Sequence, residues 1–310
     1  MLKKTPANRD PLQALLASPE PAVLAVIAGV EGPSYRPVGA MMTIFSPTQR
    51  AGTLSSGCIE SDIALHAMDA SDAGNPRMLR YGLGSPFMDI KLPCGGGLDI
   101  LLIPEPDRTV LTLLVRNQAA RKPCSLMIDI ETGLMQIVDT GTTGRDGKSL
   151  CVRFEPDIRF LIFGKGPEAS TFAALVQSAG YSNLLLSPDD ETLEDGASSG
   201  CDTRHMREQV FPQDVFVDEH TAVVLFFHDH EWEPPILAGV LETSAFYIGA
   251  QGSQRASNER KMALDAMGIT DEACSRLHGP VGLIPSARDA GTLAVSVLAE
   301  ILAKAMVRTP

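Results

Sequence analysis

Several short segments of this 310-residue chain bring together residue types that can do chemistry. Residues 160–169 read Phe-Leu-Ile-Phe-Gly-Lys-Gly-Pro-Glu-Ala, an apolar run that ends in a glycine loop. Gly164, Gly166 and Ala169, with Pro167 between them, fit the G-x-G-x-x-G/A pattern that turns a strand into a helix beneath a dinucleotide. The glycines let the backbone approach a pyrophosphate, and the helix N-terminus offers amides and a positive dipole end. Such a site also wants an acid at the end of the second strand for the ribose; Ser187 takes that place and Asp189 follows two residues late. A bound dinucleotide and a Rossmann fold with none fit this segment equally.

Residues 52–60, Gly-Thr-Leu-Ser-Ser-Gly-Cys-Ile-Glu, set the hydroxyls, amides and thiol of Ser55, Ser56, Gly57 and Cys58 at a predicted helix N-terminus. That suits an oxyanion and lowers a thiol pKa; an ordinary cap, with Ser56 capping and Glu60 in the first turn, uses the same residues. In residues 92–97, Leu-Pro-Cys-Gly-Gly-Gly, the thiol of Cys94 precedes Gly95, Gly96 and Gly97. Three glycines are costly to order, so a close approach is expected there. Gly252, Ser253 and Arg255 follow a predicted strand, and Arg255, Arg260 and Lys261 form a basic cluster. They serve either as anion ligands or as surface charges paired with Glu259 and Asp265. His228-Asp229-His230 ends another strand, with no further metal ligands at a telling spacing.

The elements that must position these residues follow from pattern. Asp10-Pro11 before Leu12, Leu15 and Leu16 predicts a capped helix. Strands are expected at 22–30, 40–45 and 98–103, helices at 59–70 and 111–120, and a hairpin over 125–130 and 135–138. The Gly- and Thr-rich stretch 141–148 reads as a linker, dividing the chain into domains of residues 1–150 and 151–310, with the boundary near 145–157. Strands at 159–163, 183–187, 222–227 and 246–249, with helices at 168–179, 255–267 and 289–306, predict a Rossmann-like parallel sheet covered on both sides. The fold class is therefore α/β: an N-terminal α/β domain followed by a Rossmann-like domain.

A net charge of -12 argues against general binding to nucleic acid or an anionic membrane. No apolar run nears the roughly 18 residues of a membrane span, and the N-terminus lacks a secretory signal. The six scattered cysteines form no C-x-x-C pair, so reduced cytoplasmic thiols are expected rather than zinc.

Together and in order, these segments resemble the XdhC/CoxI family, maturation factors of xanthine dehydrogenase and related molybdenum hydroxylases. Residues 31–40 (Glu-Gly-Pro-Ser-Tyr-Arg-Pro-Val-Gly-Ala) are similar to its E-G-S-S-P-R-P-x-G-A, and residues 52–60 to its G-x-L-S-G-G-C-V-E. Residues 92–96 are similar to L-x-C-G-G and residues 247–255 to Y-I-G-x-L-G-S-R-R. Residues 279–283 and 294–301 resemble its G-P-I-G-L and A-x-S-I-L-A-E-I ending. The chain departs from the pattern at Ser56, Gln254 and Ser187.

The resemblance implies binding of the molybdenum cofactor (molybdopterin), help with its sulfuration by a cysteine desulfurase, and insertion into an apo molybdenum hydroxylase. It further implies a homodimer and an accessory factor rather than an enzyme. It puts the cofactor contacts at Arg36, Ser55, Ser56, Gly57, Cys58, Glu60, Cys94, Gly95, Gly96, Gly164, Gly166, Pro167, Gly252, Ser253 and Arg255, on loops expected to converge between the domains. The alternative is an NAD(P)-dependent oxidoreductase using the Rossmann-like unit; Ser187 and the lack of an evident hydride-transfer constellation count against it.

Overall fold

The computed structural model describes residues 9–55, 57, 59–86, 92, 95–228 and 231–308. The chain divides into two compact units, Met1–Pro156 and Asp157–Pro310.

The first unit runs α1 (Pro11–Ala17), β1 (Val23–Glu31), β2 (Met41–Ser46), β3 (Gln49–Gly52), α2 (Glu60–Ala73), β4 (Arg77–Gly82), β5 (Gly97–Pro104) and α3 (Arg108–Ala119). It closes with β6 (Cys124–Asp129), β7 (Met135–Val138), β8 (Gly144–Asp146) and β9 (Ser149–Phe154). Asp10 caps α1 as expected, accepting the Gln13 amide at 2.8 Å. Strands β3-β2-β1-β5-β4 form one antiparallel sheet and β7-β6-β9-β8 a second.

Strand β1 is apolar throughout because both its faces are covered. Val23, Ala25 and Ile27 pack with Ile63, Ala64 and Ala67 of α2. Leu24, Val26 and Ala28 face a core shared with α1, α3 and the second sheet through Leu15, Leu111, Leu126 and Val152. The stretch 141–148, expected to be a linker, instead leads into β8 and its turn onto β9. Gly147, at φ +55°, makes the tight turn that the glycine-rich composition imitates as a linker.

The second unit runs β10 (Arg159–Gly164), α4 (Pro167–Ser178), β11 (Ser182–Ser187), α5 (Asp190–Ser198), β12 (Asp202–His205), β13 (Thr221–Phe226) and α6 (Glu233–Leu241). Then follow β14 (Tyr247–Ala250), α7 (Gln254–Ala266), α8 (Asp271–Ser275), β15 (Leu277–His278) and α9 (Ala290–Arg308). The sheet is parallel throughout, in the order β12-β11-β10-β13-β14-β15. Counting from β10, that is 3-2-1-4-5-6, the doubly wound Rossmann order, with its switch point between β10 and β13.

Period-two alternation assigns each strand residue to a face. Phe160, Ile162, Val224 and Phe226 point to the side of α4 and α9. Leu161, Phe163, Val223, Leu225 and Phe227 point to the side of α6 and α7. One helix among the described residues, Ala290–Val307 within α9, is long and apolar enough to cross a membrane, a length the run-based sequence reading missed because Glu300 and Lys304 interrupt it. In the fold its Ala294, Val297 and Ile301 are buried in the core beside α4.

Candidate functional site

In the first unit the 52–60 loop is organised by its own acid. Glu60 opens α2 and turns its carboxylate back into the loop. Oε1 accepts from the Thr53 hydroxyl (2.5 Å) and the amides of Leu54 (3.1 Å) and Ser55 (2.8 Å). Oε2 accepts from the Ser55 hydroxyl (2.8 Å) and the Ile59 amide (3.2 Å). The residue is 1% exposed. Burial opposes its charge, but the donors, Thr53 foremost and then Ser55 and Gly57, outweigh it and hold the pKa down at about 2.

Amides expected to await an external oxyanion are therefore taken up by an internal one. The N-cap of α2 is Ile59, not Ser56, because Glu60 does the work a cap would do. Gly57 remains exposed, at φ +106° with open space around it.

The 31–39 and 95–97 loops meet in the same unit. A Cβ on Gly96 would fall on the Pro33 carbonyl oxygen, and one on Gly97 on the Arg80 guanidinium. Close packing thus accounts for two of the three consecutive glycines. Arg80 fastens the junction, pairing with Glu31 and with Asp99 (3.2 Å) and donating to the Leu83 carbonyl (2.8 Å). Gly95, at φ +73°, faces open space. Ser34 closes the turn before Arg36, donating to the Arg36 carbonyl (2.8 Å) and accepting its amide (3.3 Å). The Arg36 side chain is exposed and has no partner among the described residues. Ser56, Cys58 and Cys94 lie outside the described residues.

In the second unit the loops at the switch point enclose a cavity of about 500 Å³ lined by Lys165, Gly166, Pro188, Phe227, His228 and Trp232. Trp232 stacks on Phe227 with ring centroids 5.8 Å apart. His228 Nε2 lies 3.4 Å from Glu168 Oε2, and the Gln251 amide nitrogen lies 3.3–3.4 Å from the His228 ring nitrogens.

The glycine loop is satisfied internally. The Gly166 amide donates to Thr192 Oγ1 (2.8 Å), and the Thr192 hydroxyl donates to Asp189 (2.6 Å). Asp189 caps α5, and its bonds from Thr192 hold its carboxyl below the usual range. The Ser187 hydroxyl is buried and accepts the Asp189 amide (3.1 Å). The residue standing late for the ribose role is thus a helix cap. Pro167 opens α4 and Gly164 packs tightly against Phe226 and Ala169, so both shape the loop.

The basic cluster separates on folding. Arg260 is buried in an ion pair with Glu233 (2.9 Å), both side chains 1% exposed, and donates to the Gln251 carbonyl (2.7 Å). Arg255 is exposed and pairs with Glu259 (2.8 Å), the surface pairing weighed from sequence. Ser253 caps α7 by accepting the Ala256 amide, and Gly252 is exposed beside it. Asp229 and His230 are outside the described residues.

Sequence reasoning missed Lys165, Glu168, Trp232 and Gln251; their one signal was position, each within a few residues of a parallel strand's C-terminal end.

Fold and site define a doubly wound, Rossmann-type domain with a self-satisfied glycine loop, joined to a two-sheet domain built on glycine-rich turns. Family comparison matches residues 15–82 to the XdhC and CoxI family and residues 160–301 to the XdhC Rossmann domain. A molybdenum cofactor insertion chaperone, PaoD, of Escherichia coli (strain K12) is 34% identical over 92% of this chain and 84% of its own length. The chain belongs to the XdhC and CoxI family. A Bacillus subtilis (strain 168) protein, described as a probable xanthine dehydrogenase subunit, is 26% identical over 94% of this chain and 95% of its own. The crystal structure of a Bacillus halodurans protein described as a xanthine dehydrogenase has the same fold, with TM-score 0.79 and 22% identity, over 96% of this chain and 95% of that one.

Proposed function

We propose that this chain is a molybdenum cofactor chaperone. It binds molybdopterin, holds it while a cysteine desulfurase sulfurates it, and delivers it to an apo molybdenum hydroxylase of the xanthine dehydrogenase kind. It acts as a cytoplasmic homodimer without turnover of its own. The observation that carries the reading is the likeness to an insertion chaperone along 92% of the chain.

The exposed Arg36 guanidinium suits the cofactor's phosphate. Ser55 and Glu60 hold the loop that carries Ser56 and Cys58, and Gly96 seats the one that carries Cys94. On the family resemblance we assign the thiols of Cys58 and Cys94 to the molybdenum–sulfur centre. Gly164, Gly166 and Pro167 shape the second unit's pocket, and Gly252, Ser253 and Arg255 border α7 in the same unit.

Use of NAD(P) is disfavoured by the Thr192 bond to Gly166 and the capping duty of Asp189. The test is transfer: protein loaded with sulfurated cofactor is mixed with apo-hydroxylase. Activity should appear in proportion to the chaperone supplied, one cofactor per delivery. Activation that continues catalytically from a trace of the protein, or that fails at equimolar loading, contradicts the proposal.

A further inference from the structure

We infer that the groove between α1 and the β2–β3 hairpin of the first unit binds an elongated organic dianion, its charged ends held by the Arg9 and Arg50 guanidiniums. The site uses none of the residues assigned to the cofactor, so it does not rest on the chaperone reading.

Three observations converge. First, the groove is a cavity of about 500 Å³, a size that takes a metabolite-sized ligand. Its lining runs from Arg9 to Ser18, the whole length of α1, which at about 1.5 Å per residue makes it roughly 10 Å long. An extended ligand fills such a shape better than a compact one. Its helical wall is pinned at both ends. The Thr43 hydroxyl donates to the Pro11 carbonyl (2.8 Å) at one end of α1, and Arg108 donates to the carbonyls of Leu15 (2.8 Å) and Ser18 (2.7 Å) at the other. A groove held in this way has little ordering left to lose on binding.

Second, its two cations are free. Elsewhere in this acidic chain Arg80, Arg204 and Arg255 are paired with carboxylates. Arg9, exposed, and Arg50, half-buried, line the cavity, and neither guanidinium has a partner among the described residues. The one acid in the lining, Asp10, is engaged as the cap of α1, accepting the Gln13 amide at 2.8 Å. A guanidinium presents a planar fork that matches a carboxylate or a phosphate bidentately. Two forks, one beside α1 and one on β3, call for two anionic groups.

Third, the rest of the lining is largely apolar, with Ala14 and Ala17 from α1 and Phe45 and Ala51 from the hairpin. A hydrocarbon spacer between the charged ends buries its surface there.

The full chain, Arg50→Lys, Arg50→Ala and the double variant Arg9→Ala with Arg50→Ala are titrated calorimetrically with suberate, hexanediol bisphosphate and octanoate, once thermal melts show the fold intact. The two dianions should bind saturably, and octanoate, with one charge, at least tenfold more weakly. Arg50→Ala should weaken dianion binding ten- to hundredfold, the worth of a charge-assisted bond. Arg50→Lys, which keeps the charge and loses the fork, should weaken it less, and the double variant should lose it. Tighter binding of suberate assigns the groove to a dicarboxylic acid, and tighter binding of the bisphosphate to a phosphate ester; both support the inference. Failure of either dianion to bind saturably to the wild type, octanoate binding as tight as suberate, or equal dianion affinity in the double variant and the wild type overturns it.

Discussion

Glu60 shows how one side chain can decide what a loop is for. Its carboxylate gathers donors from Thr53, Leu54, Ser55 and Ile59, so Glu60→Gln replaces an acceptor pair with a half-mismatched amide in a buried site. The folded pKa of about 2 lies below the ordinary 4.5. A depressed acid stabilises the fold fully above its unfolded pKa and loses that contribution as pH falls toward the folded one. Denaturant unfolding of the wild type should therefore show stability of about 3 kcal/mol disappearing between about pH 5 and pH 2, a slope much reduced in Glu60→Gln. Equal slopes would mean that the loop does not depend on the charge.

The buried Arg260–Glu233 pair makes the opposite kind of claim. Removing one partner strands a charge, so Arg260→Met should cost about 3–5 kcal/mol, and Arg260→Met with Glu233→Leu should recover most of it in urea melts. At the surface, Arg36→Ala should weaken molybdopterin binding about ten- to hundredfold. Arg255→Ala should weaken it less, because Glu259 already shares that guanidinium. Titration at two salt concentrations separates the two.

Among elements, the glycine loops divide into those that approach something and those left open. Gly96 meets the Pro33 carbonyl, so Gly96→Ala should part the 31–33 and 95–97 loops and lower the retained cofactor, whereas Gly95→Ala meets only its own φ of +73°. The loop after β10 reads as a dinucleotide cradle by sequence, yet Thr192, twenty-six residues on, fills it. NAD+ and NADP+ should accordingly leave Trp232 emission unchanged at millimolar concentration, and a saturable change would restore the dinucleotide reading.

Long apolar strands and capped helices were legible because periodicity and caps are local: β1, β10, β13, α1 and α4 follow directly. Strands β3 and β4 were not, since the four residues Gln49–Gly52 and the polar Arg77–Gly82 draw their strand character from partners across the sheet. The linker reading of 141–148 failed for the same reason: what fixes β8 is pairing with β9. The site was legible as loops and illegible as contacts. Nothing near Arg80 or Thr192 in sequence announces Glu31, Asp99 or the Gly166 amide that they satisfy.

At the scale of the whole molecule, two units with separate cores carry the two family segments, 15–82 and 160–301. The chain divides after Pro156, where β9 has completed the first unit's second sheet. The central claim is that this assembly carries a molybdenum cofactor rather than turning over a nucleotide. Its most direct test is the content of the full-length protein purified from a molybdenum-replete, pterin-producing host, assayed for molybdopterin and for nicotinamide nucleotide. The account predicts molybdopterin approaching one per chain and no nicotinamide nucleotide; protein that emerges with bound NAD(P) and without molybdopterin contradicts it.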